Sequence, residues 1–516
     1  MKWILPFSSA LLFALSFETP YLWWLALIGL IPFLIFLEKV QALNVNSKTH
    51  QQKDALLGGW LMGSIFFALV FRWVLYAFPG DWAGLSNSLT SVPLFAIAWL
   101  IISVVVGFSS ALFGFFALKF PTYPIFIIPS IWVLSEYVRA WLFSLFSWGQ
   151  GATLGPYWSF GNLGFTLIDT PAILWSRIIG LYGVSFLVIL INCLIFRFFI
   201  KKDIKIVLLI PFLLIIFFLP KILFFITPEK KVLSVALVST QIRLGFSGEK
   251  EFGALWHDSL ESNKISPVPD IVVFPEGARL FATNDAENVF LGEIFSDKKK
   301  PGLIITSDIV STSEGLKEQI IYRNQKGELV SIQGKSFLIP AGEYMPFVLK
   351  SFITLFKDRL TLERFTTLRT RIKSEEIEKP VVFGETQIGT LLCSGITSPL
   401  LYRSLSNDGA EILVNSASQI IFQNHPFFLL QAKTLARFQA IANARPFLQA
   451  SNGGQSFSID SNGRVINQTN SFKNQILIVS VSPSKIKTPY TRFGDWPLIV
   501  IGFFFFYFII RSHKFL

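Results

Sequence analysis

The sequence predicts a multi-span α-helical membrane protein, eight spans in all, carrying an extracytoplasmic α/β domain. Three observations lead there. Hydrophobic residues make up 52% of the 516 and charged residues only 15%, well short of the quarter usual in a soluble domain. Mean hydropathy is +0.54, more apolar surface than a soluble chain of this size can bury. The charges are also unevenly shared: residues 1–226 hold 13 Lys/Arg and 7 Asp/Glu, and the remaining 58 charged residues lie in the other 290. A membrane part is thus followed by a water-soluble part, and disorder and fibrous repeats are excluded.

Apolar stretches lie near 3–17, 21–38, 56–78, 91–118, 121–145, 172–199 and 204–226, and an eighth, 496–510, reads WPLIVIGFFFFYFII. Several approach the ~20 residues that a helical span needs. The first is short. Its alternative, a cleaved signal peptide, lacks a small-residue cleavage site and is followed at once by the next span. Orientation follows from the Lys/Arg bias. With the N-terminus inside, inner loops hold Lys39, Lys48, Lys53, Lys119, Lys201, Lys202 and Lys205, and the tail adds Arg511 and Lys514, whereas the outer loops near 79–90 and 146–171 contain neither Lys nor Arg. The expected division is 1–226 as a seven-span membrane domain, 227–495 as the extracytoplasmic domain, and 496–516 as the eighth span and cytoplasmic tail. The net charge of +12 is therefore read as topology, and nucleic acid is not expected as a partner.

Residues 227–495 alternate short β-like runs with turns. Candidate strands are 232–239, 270–275, 302–308, 319–323, 329–332, 380–384, 388–393, 411–415, 447–451, 455–460 and 475–481, with a helix near 424–443. Asn324-Gln-Lys-Gly and Ser461-Asn462-Gly463 read as hairpin turns. The pattern predicts a layered α/β domain with its sheets inside.

Three segments can carry chemistry. In 272–279, VVFPEGAR, a strand ends and presents Glu276, and a carboxylate against an apolar wall can serve as a proton carrier. In 334–346, GKSFLIPAGEYMP, Lys335 precedes an apolar run; a fixed cation stabilises a developing oxyanion. In 388–396, IGTLLCSGI, a strand delivers Cys393 to a turn, and a thiolate there would be a nucleophile. Each also has a plain structural alternative: a surface Glu, a solvated Lys, a buried inert Cys. The Cys alternative is weakened because Cys393 is a lone thiol on the oxidising side. Cys193 lies in an apolar span, so no disulfide framework is expected. Only His50, His257, His425 and His513 exist, and no zinc spacing, GxSxG or Gly-rich phosphate loop occurs. No metal and no cofactor are expected. In the membrane part, Arg72, Glu136, Arg139 and Arg177 are ionisable groups in or beside spans. Glu136 and Arg139 are spaced to pair on one helix face, while Arg72 and Arg177 either snorkel or meet a phospholipid phosphate. Trp73, Trp82, Trp148 and Trp158 read as an outer interfacial belt.

Glu276, Lys335 and Cys393, in that order and at strand ends, resemble the Glu-Lys-Cys triad of the nitrilase (carbon–nitrogen hydrolase) superfamily. Joined to an eight-span frame, they resemble the bacterial apolipoprotein N-acyltransferase family over nearly the whole chain. Further matching segments are 135–148 (SEYVRAWLFSLFSW), 180–187 (GLYGVSFL), Val238 to Gln241, GEYMP, ARFQAIANARPFLQ, SNGG and IDSNG. The resemblance implies a nitrilase-like αββα sandwich. It also implies Cys393 as nucleophile, Glu276 as general base, Lys335 as oxyanion-supporting cation and Glu343 as a second glutamate, with Tyr344, Ser394 and Gly395 supporting the site or binding substrate. The implied reaction moves an acyl chain from a phospholipid, through a cysteine thioester, to the α-amino group of a diacylglyceryl-modified N-terminal cysteine of an apolipoprotein. The implied location is a bacterial inner membrane with the catalytic domain on the periplasmic side, and a monomer is expected. Two segments depart from the family: Ser394-Gly395 stand where Tyr-Glu commonly follows the cysteine, and Ser418-Gln419-Ile420-Ile421-Phe422 where an Asn-Asp-x-Trp-Phe loop is usual. Alternatives from other classes are a membrane-bound amidase of the same superfamily, a non-catalytic lipoprotein-binding relative, and a transporter, which would leave the large outer domain unexplained.

Overall fold

The computed structural model describes residues 2–43, 47–77, 88–120, 125–202, 209–226, 232–242, 268–277, 301–355 and 359–513. Before the first strand come helices α1 (Ile4–Leu15), α2 (Ile31–Leu43), α3 (Lys48–Val70), α4 (Ser88–Leu118), α5 (Ile127–Phe146), α6 (Ser176–Phe199) and α7 (Leu209–Phe224). Among the described residues, four stretches are long and apolar enough to cross a membrane: Trp23–Leu43, Lys48–Val70, Phe95–Leu118 and Pro171–Phe199. The other expected spans differ for identifiable reasons. At 1.5 Å per residue, the 12 residues of α1 reach only about 18 Å against a hydrocarbon core of ~30 Å. The helix Trp496–His513 is apolar over Trp496–Ile510 only. Helix α5 is 20 residues long but buries Glu136 and Arg139.

Those two charges do not simply pair along their helix. Glu136 accepts from the backbone N–H of Leu163 at 2.8 Å, from Asn162 at 3.2 Å and from Trp132 at 3.1 Å. Arg139 donates to the carbonyl of Phe160 and to Asn162. Together they pin the 146–171 loop onto α5, because buried charges need partners.

The second half is built from two six-stranded sheets. One has the order β12-β1-β2-β3-β4-β5 and the other β11-β10-β9-β8-β7-β6, where β1 is Leu233–Ser239, β2 Ile271–Val273, β3 Leu303–Thr312, β4 Gly315–Asn324, β5 Leu329–Gly334, β6 Val381–Phe383, β7 Thr386–Leu392, β8 Ile412–Ser418, β9 Phe447–Asn452, β10 Phe457–Ile459, β11 Val465–Gln468 and β12 Gln475–Val481. Alternate residues of both sheets share one buried cluster: Val235 and Leu237, Ile271 and Val273, Leu303 and Ile305, facing Ile388 and Leu392, Ile412 and Val414, Leu448 and Ala450. This period of two makes the sheets pack face to face. Helices Pro399–Asn407 and Pro426–Asn443 cover the outer face of the second sheet through Leu401, Leu405, Leu435 and Phe438. Residues 243–267 and 278–300 lie outside the described residues. Both hairpin turns occur where expected, β4 to β5 and β10 to β11. The first is held by Asn324 Oδ1, which accepts from the N–H groups of Lys326 and Glu328. Strand β11 escaped the sequence reading because VINQ is too short and polar to carry an alternation.

The two halves are tied together. Arg177 of α6 is buried and donates to the carbonyls of Ile441 at 3.0 Å, Ser461 at 2.6 Å and Phe224. It is therefore a structural clamp rather than a contact to lipid phosphate. Arg72 pairs with Glu18 and lies over the Phe427 ring at 3.8 Å, so it too is spent on protein. Replacing Arg177 by Ala leaves buried carbonyls without donors, a loss of about 3 kcal/mol. A thermal unfolding midpoint lowered by several degrees in detergent is expected, and an unchanged midpoint would show that the clamp is redundant. Of the tryptophans, Trp148 is half exposed, whereas Trp73 packs on Phe422 and Phe428 and Trp158 on Phe337. The latter two join the halves rather than lining a lipid interface, and Trp82 lies outside the described residues.

Candidate active site

Parallel pairing brings the carboxyl ends of β2, β7 and β8 to one end of the sandwich, and the candidate residues are found there. Immediately beyond β2 come Phe274 and Pro275 and then Glu276, followed by Gly277 at φ +73°. That conformation is free for glycine alone, and it turns the chain at the carboxylate. Beyond β7, Cys393 opens the 3₁₀ turn Cys393–Thr397 at φ +30°. A left-handed backbone at a residue with a side chain costs of order 1–3 kcal/mol. Gly395 allows the turn to close, since a Cβ there would lie 2.6 Å from the Leu391 side chain.

Lys335 follows β5 and is almost wholly buried. Its Nζ donates to Glu276 at 2.7 Å, to Glu343 at 2.5 Å and to Glu318 at 3.2 Å. Oxygens of these three carboxylates lie within 4.8 Å of one another, and the ammonium occupies the centre, where a metal ion would otherwise be held. Burial works against the Lys335 charge, but the three carboxylates outweigh it and hold its pKa well above the ordinary value. Burial raises Glu318 and Glu343, against the pull of Lys335.

The Cys393 Sγ donates to the carbonyl of Ser418 at 3.6 Å, and the N–H of Ser418 donates to Glu276 Oε2 at 3.2 Å. One peptide unit at the end of β8 thus aims both the thiol and the carboxylate. Burial, and next the Glu276 charge, push the Cys393 thiol well above its ordinary value, with Lys335 opposing. The resting group is a thiol. Alkylation by iodoacetamide is therefore expected to be slow at pH 7 and to climb with pH beyond about 8.5, where an ordinary free cysteine is half ionised. Fast, pH-independent alkylation at pH 6–7 would show a preformed thiolate instead.

The supporting residues sort by what they touch. Glu343 accepts from the N–H of Ile339 at 2.8 Å as well as from Lys335. Ser394 donates to the carbonyl of Phe337 at 2.6 Å, tying the cysteine turn to the lysine segment. Tyr344 is buried beside Ser147, and burial pushes its hydroxyl up to about 12. Neither Ser394 nor Tyr344 lines the cavity described next. Glu318 was not foreseen, although a signal existed: it has the same parity along β4 as buried Ile320 and Tyr322, so an acid stands at an inward position. Glu378 was also missed; it accepts from the Ser336 N–H at 3.0 Å and hydroxyl at 2.5 Å, steadying the residue after Lys335.

A cavity of about 360 Å³ opens at Glu276, Glu318, Glu343, Cys393 and Ser418. It continues along Phe71, Trp73, Phe143 and Trp158, Ile101 and Ile102 of α4, and Val348, Leu349 and Phe352, with Arg369 and Arg371 beside its polar end. Its far wall is built from α4 and the segments that follow α3 and α5. The 146–171 loop seats it: Ser159 donates to the carbonyl of Thr397 at 2.8 Å, and the carbonyl of Trp148 accepts from Phe347 at 2.7 Å. The departing segment 418–422 contributes Ser418, Ile421 and Phe422 to the wall. A carboxylate, an ammonium and a thiol therefore meet at the head of an apolar channel.

Both halves of the chain are similar to known proteins. The apolipoprotein N-acyltransferase N-terminal domain family matches residues 9–194, and the carbon-nitrogen hydrolase family matches residues 295–488. A relative from Haemophilus influenzae, an apolipoprotein N-acyltransferase, is 23% identical over 89% of this chain and 87% of its own length. One of the same description from Pasteurella multocida is 24% identical over 87% and 85%. The solved carbon-nitrogen hydrolase from Helicobacter pylori G27 covers 52% of this chain and 94% of its own, at 13% identity and a TM-score of 0.37.

Proposed function

Because the chain belongs to the apolipoprotein N-acyltransferase family, we propose that it moves an acyl chain from a membrane phospholipid to the α-amino group of a diacylglyceryl-modified N-terminal cysteine of apolipoproteins. The observation that carries this reading is the Lys335–Glu276 pair beside Cys393 at the head of an apolar cavity, which suits a long acyl chain better than a small amide. In the first half, Glu276 takes the thiol proton as Cys393 attacks the ester carbonyl. Lys335 stabilises the oxyanion, and Glu276 returns the proton to the departing glyceryl oxygen, leaving a thioester and a lysophospholipid. In the second half the acceptor amine attacks the thioester, its proton passes to Glu276 and then to the leaving thiolate, and an amide is formed. Ping-pong kinetics follow. Glu318 and Glu343 hold the ammonium in place throughout.

The same proposal divides the chain into a membrane domain (1–226), a catalytic domain (227–495) and a final span with tail (496–516), crossing a bacterial inner membrane eight times with the catalytic domain outside the cytoplasm. The absence of Lys and Arg from 146–171, the loop on which the site rests, supports that orientation. The test is to incubate the purified protein with phospholipid and weigh it intact. A hydroxylamine-labile acyl adduct is expected, and addition of a diacylated lipopeptide should discharge it into an N-acylated product. Release of free fatty acid, or of ammonia from small amides, with no acylated lipopeptide would point to a hydrolase.

A further inference from the structure

The left-handed backbone at Cys393 has to be held from outside, because such a residue persists only where its surroundings over-determine it. The turn Cys393–Thr397 is gripped at both ends. At its start, Ser394 donates to the carbonyl of Phe337 at 2.6 Å. At its end, the carbonyl of Thr397 accepts twice from one residue of the 146–171 loop: from the Ser159 hydroxyl at 2.8 Å and from the Ser159 N–H at 3.3 Å. The Thr397 hydroxyl donates to the carbonyl of Ser394 at 2.8 Å, so the end that Ser159 grips is tied back to the residue after the cysteine. Ser159 is itself fixed. Its carbonyl accepts from the N–H of Asn162 at 3.2 Å. The Asn162 side chain donates to Glu136 at 3.2 Å and accepts from Arg139, which also donates to the carbonyl of Phe160, the residue after Ser159. Between them, Gly161 lies at φ +76°, and a Cβ there would lie 2.8 Å from the Arg139 guanidinium. Glu136, Arg139, Asn162, Ser159, Thr397 and Ser394 are all buried, so a bond lost from this chain is costly to leave unmade.

We propose that Ser159 is a positioning residue for Cys393: through it, the Glu136–Arg139–Asn162 cluster of α5 and its loop holds the cysteine turn in the conformation that keeps Sγ against the Ser418 peptide and beside Glu276. The inference rests on the acyltransferase reading above, in which Cys393 is the nucleophile, and adds what keeps that nucleophile in place. The helical half then does more than wall the cavity. Two charges buried in α5, expensive to keep there, set the geometry of the chemistry in the other half, and the bonds that connect them to the turn form one unbroken chain.

The experiment uses the full chain and two readouts: the pH dependence of alkylation by iodoacetamide, read at the Cys393 peptide by mass spectrometry, and the rate and half-saturation of thioester formation from phosphatidylglycerol. Wild type is compared with Ser159→Ala, Thr397→Val, Thr397→Ser and Glu136→Gln. In wild type, burial and next the Glu276 charge hold the thiol up, with Lys335 opposing and Glu343 adding to the rise. Losing the Ser159 or the Thr397 hydroxyl lets the turn relax and Sγ leave that setting. The alkylation midpoint is expected to fall towards the ordinary value of about 8.5, and thioester formation to slow about tenfold to a hundredfold at unchanged half-saturation. Thr397→Ser, which keeps the hydroxyl, should recover most of what Thr397→Val loses. Ser159→Ala combined with Glu136→Gln should shift the midpoint no further than the larger single change, because both act through the Thr397 carbonyl. An unmoved midpoint in both Ser159→Ala and Thr397→Val would overturn the proposal, as would slower acylation that comes entirely from a raised half-saturation. Fully additive shifts would overturn the part assigned to α5. Alkylation needs no lipid, so absence of a thioester on wild-type protein would sink the transfer reaction while the positioning role is still decided by the midpoints.

Discussion

Cys393→Ala should abolish acyl transfer: no hydroxylamine-labile adduct should form on incubation with phospholipid, and lipopeptide acylation should fall to background. A nucleophile lost from a covalent mechanism removes the intermediate itself, and losses of 10⁴-fold or more are usual when such a group is deleted. Folding should survive. The residue is only partly buried, its side chain makes only a long 3.6 Å contact to the Ser418 carbonyl among the described residues, and alanine at φ +30° is no worse strained than cysteine. A wild-type melting temperature together with the loss of activity is therefore the expected pair of results. Lipopeptide acylation at wild-type rate would remove Cys393 from the mechanism. Cys393→Ser separates the two roles of the sulfur further. It keeps the hydrogen bond, but its alkoxide is far harder to form, so it should be as inactive as the alanine variant.

Lys335→Met should damage both stability and chemistry. The substitution keeps the length and apolar stem of the side chain but removes the cation from the midst of Glu276, Glu318 and Glu343. Breaking a buried ion pair by deleting one partner costs about 3–5 kcal/mol, because the other charge is left uncompensated. Here the carboxyl groups can retreat by taking up protons, which would also disable Glu276 as a base. The rate of thioester formation should fall by about 10²–10³-fold from the lost oxyanion support alone, and by more through Glu276. Intact-protein mass spectrometry with time and a denaturant titration would read the two effects separately. Glu318→Gln is the milder companion. It removes a carboxyl group whose pKa burial raises but keeps an oxygen for Lys335, so it should shift the acid side of the pH–rate profile while leaving a folded protein. A flat effect across pH would assign Glu318 a packing role only.

The residues that meet at the site were legible because each stands at a strand end, and strand ends are visible as a stop in alternation followed by a turn. Glu276 after VVFP, Lys335 after the β5 run and Cys393 after IGTLL all have that form. Glu318 lay hidden inside a strand, where an acid is read as an exposed position unless the parity of Ile320 and Tyr322 is followed. Arg177 misled for the opposite reason. An arginine at the end of an apolar run has the look of a lipid contact, and only the approach of Ile441 and Ser461, more than 260 residues away, shows that its donors are spent on carbonyls.

By itself the sequence determined the division into an apolar helical part and a strand-bearing part, the alternating strands, both hairpin turns and the residue types at the strand ends, because composition, periodicity and turn chemistry are local properties that need no partner. Tertiary structure alone decided that Lys335 sits among three carboxylates, that one peptide unit of Ser418 aims both the Cys393 thiol and the Glu276 carboxylate, and that the 146–171 loop and α4 wall the cavity. Those relations are set by sheet register and by the docking of one half on the other, and both depend on contacts between residues that the linear chain keeps far apart.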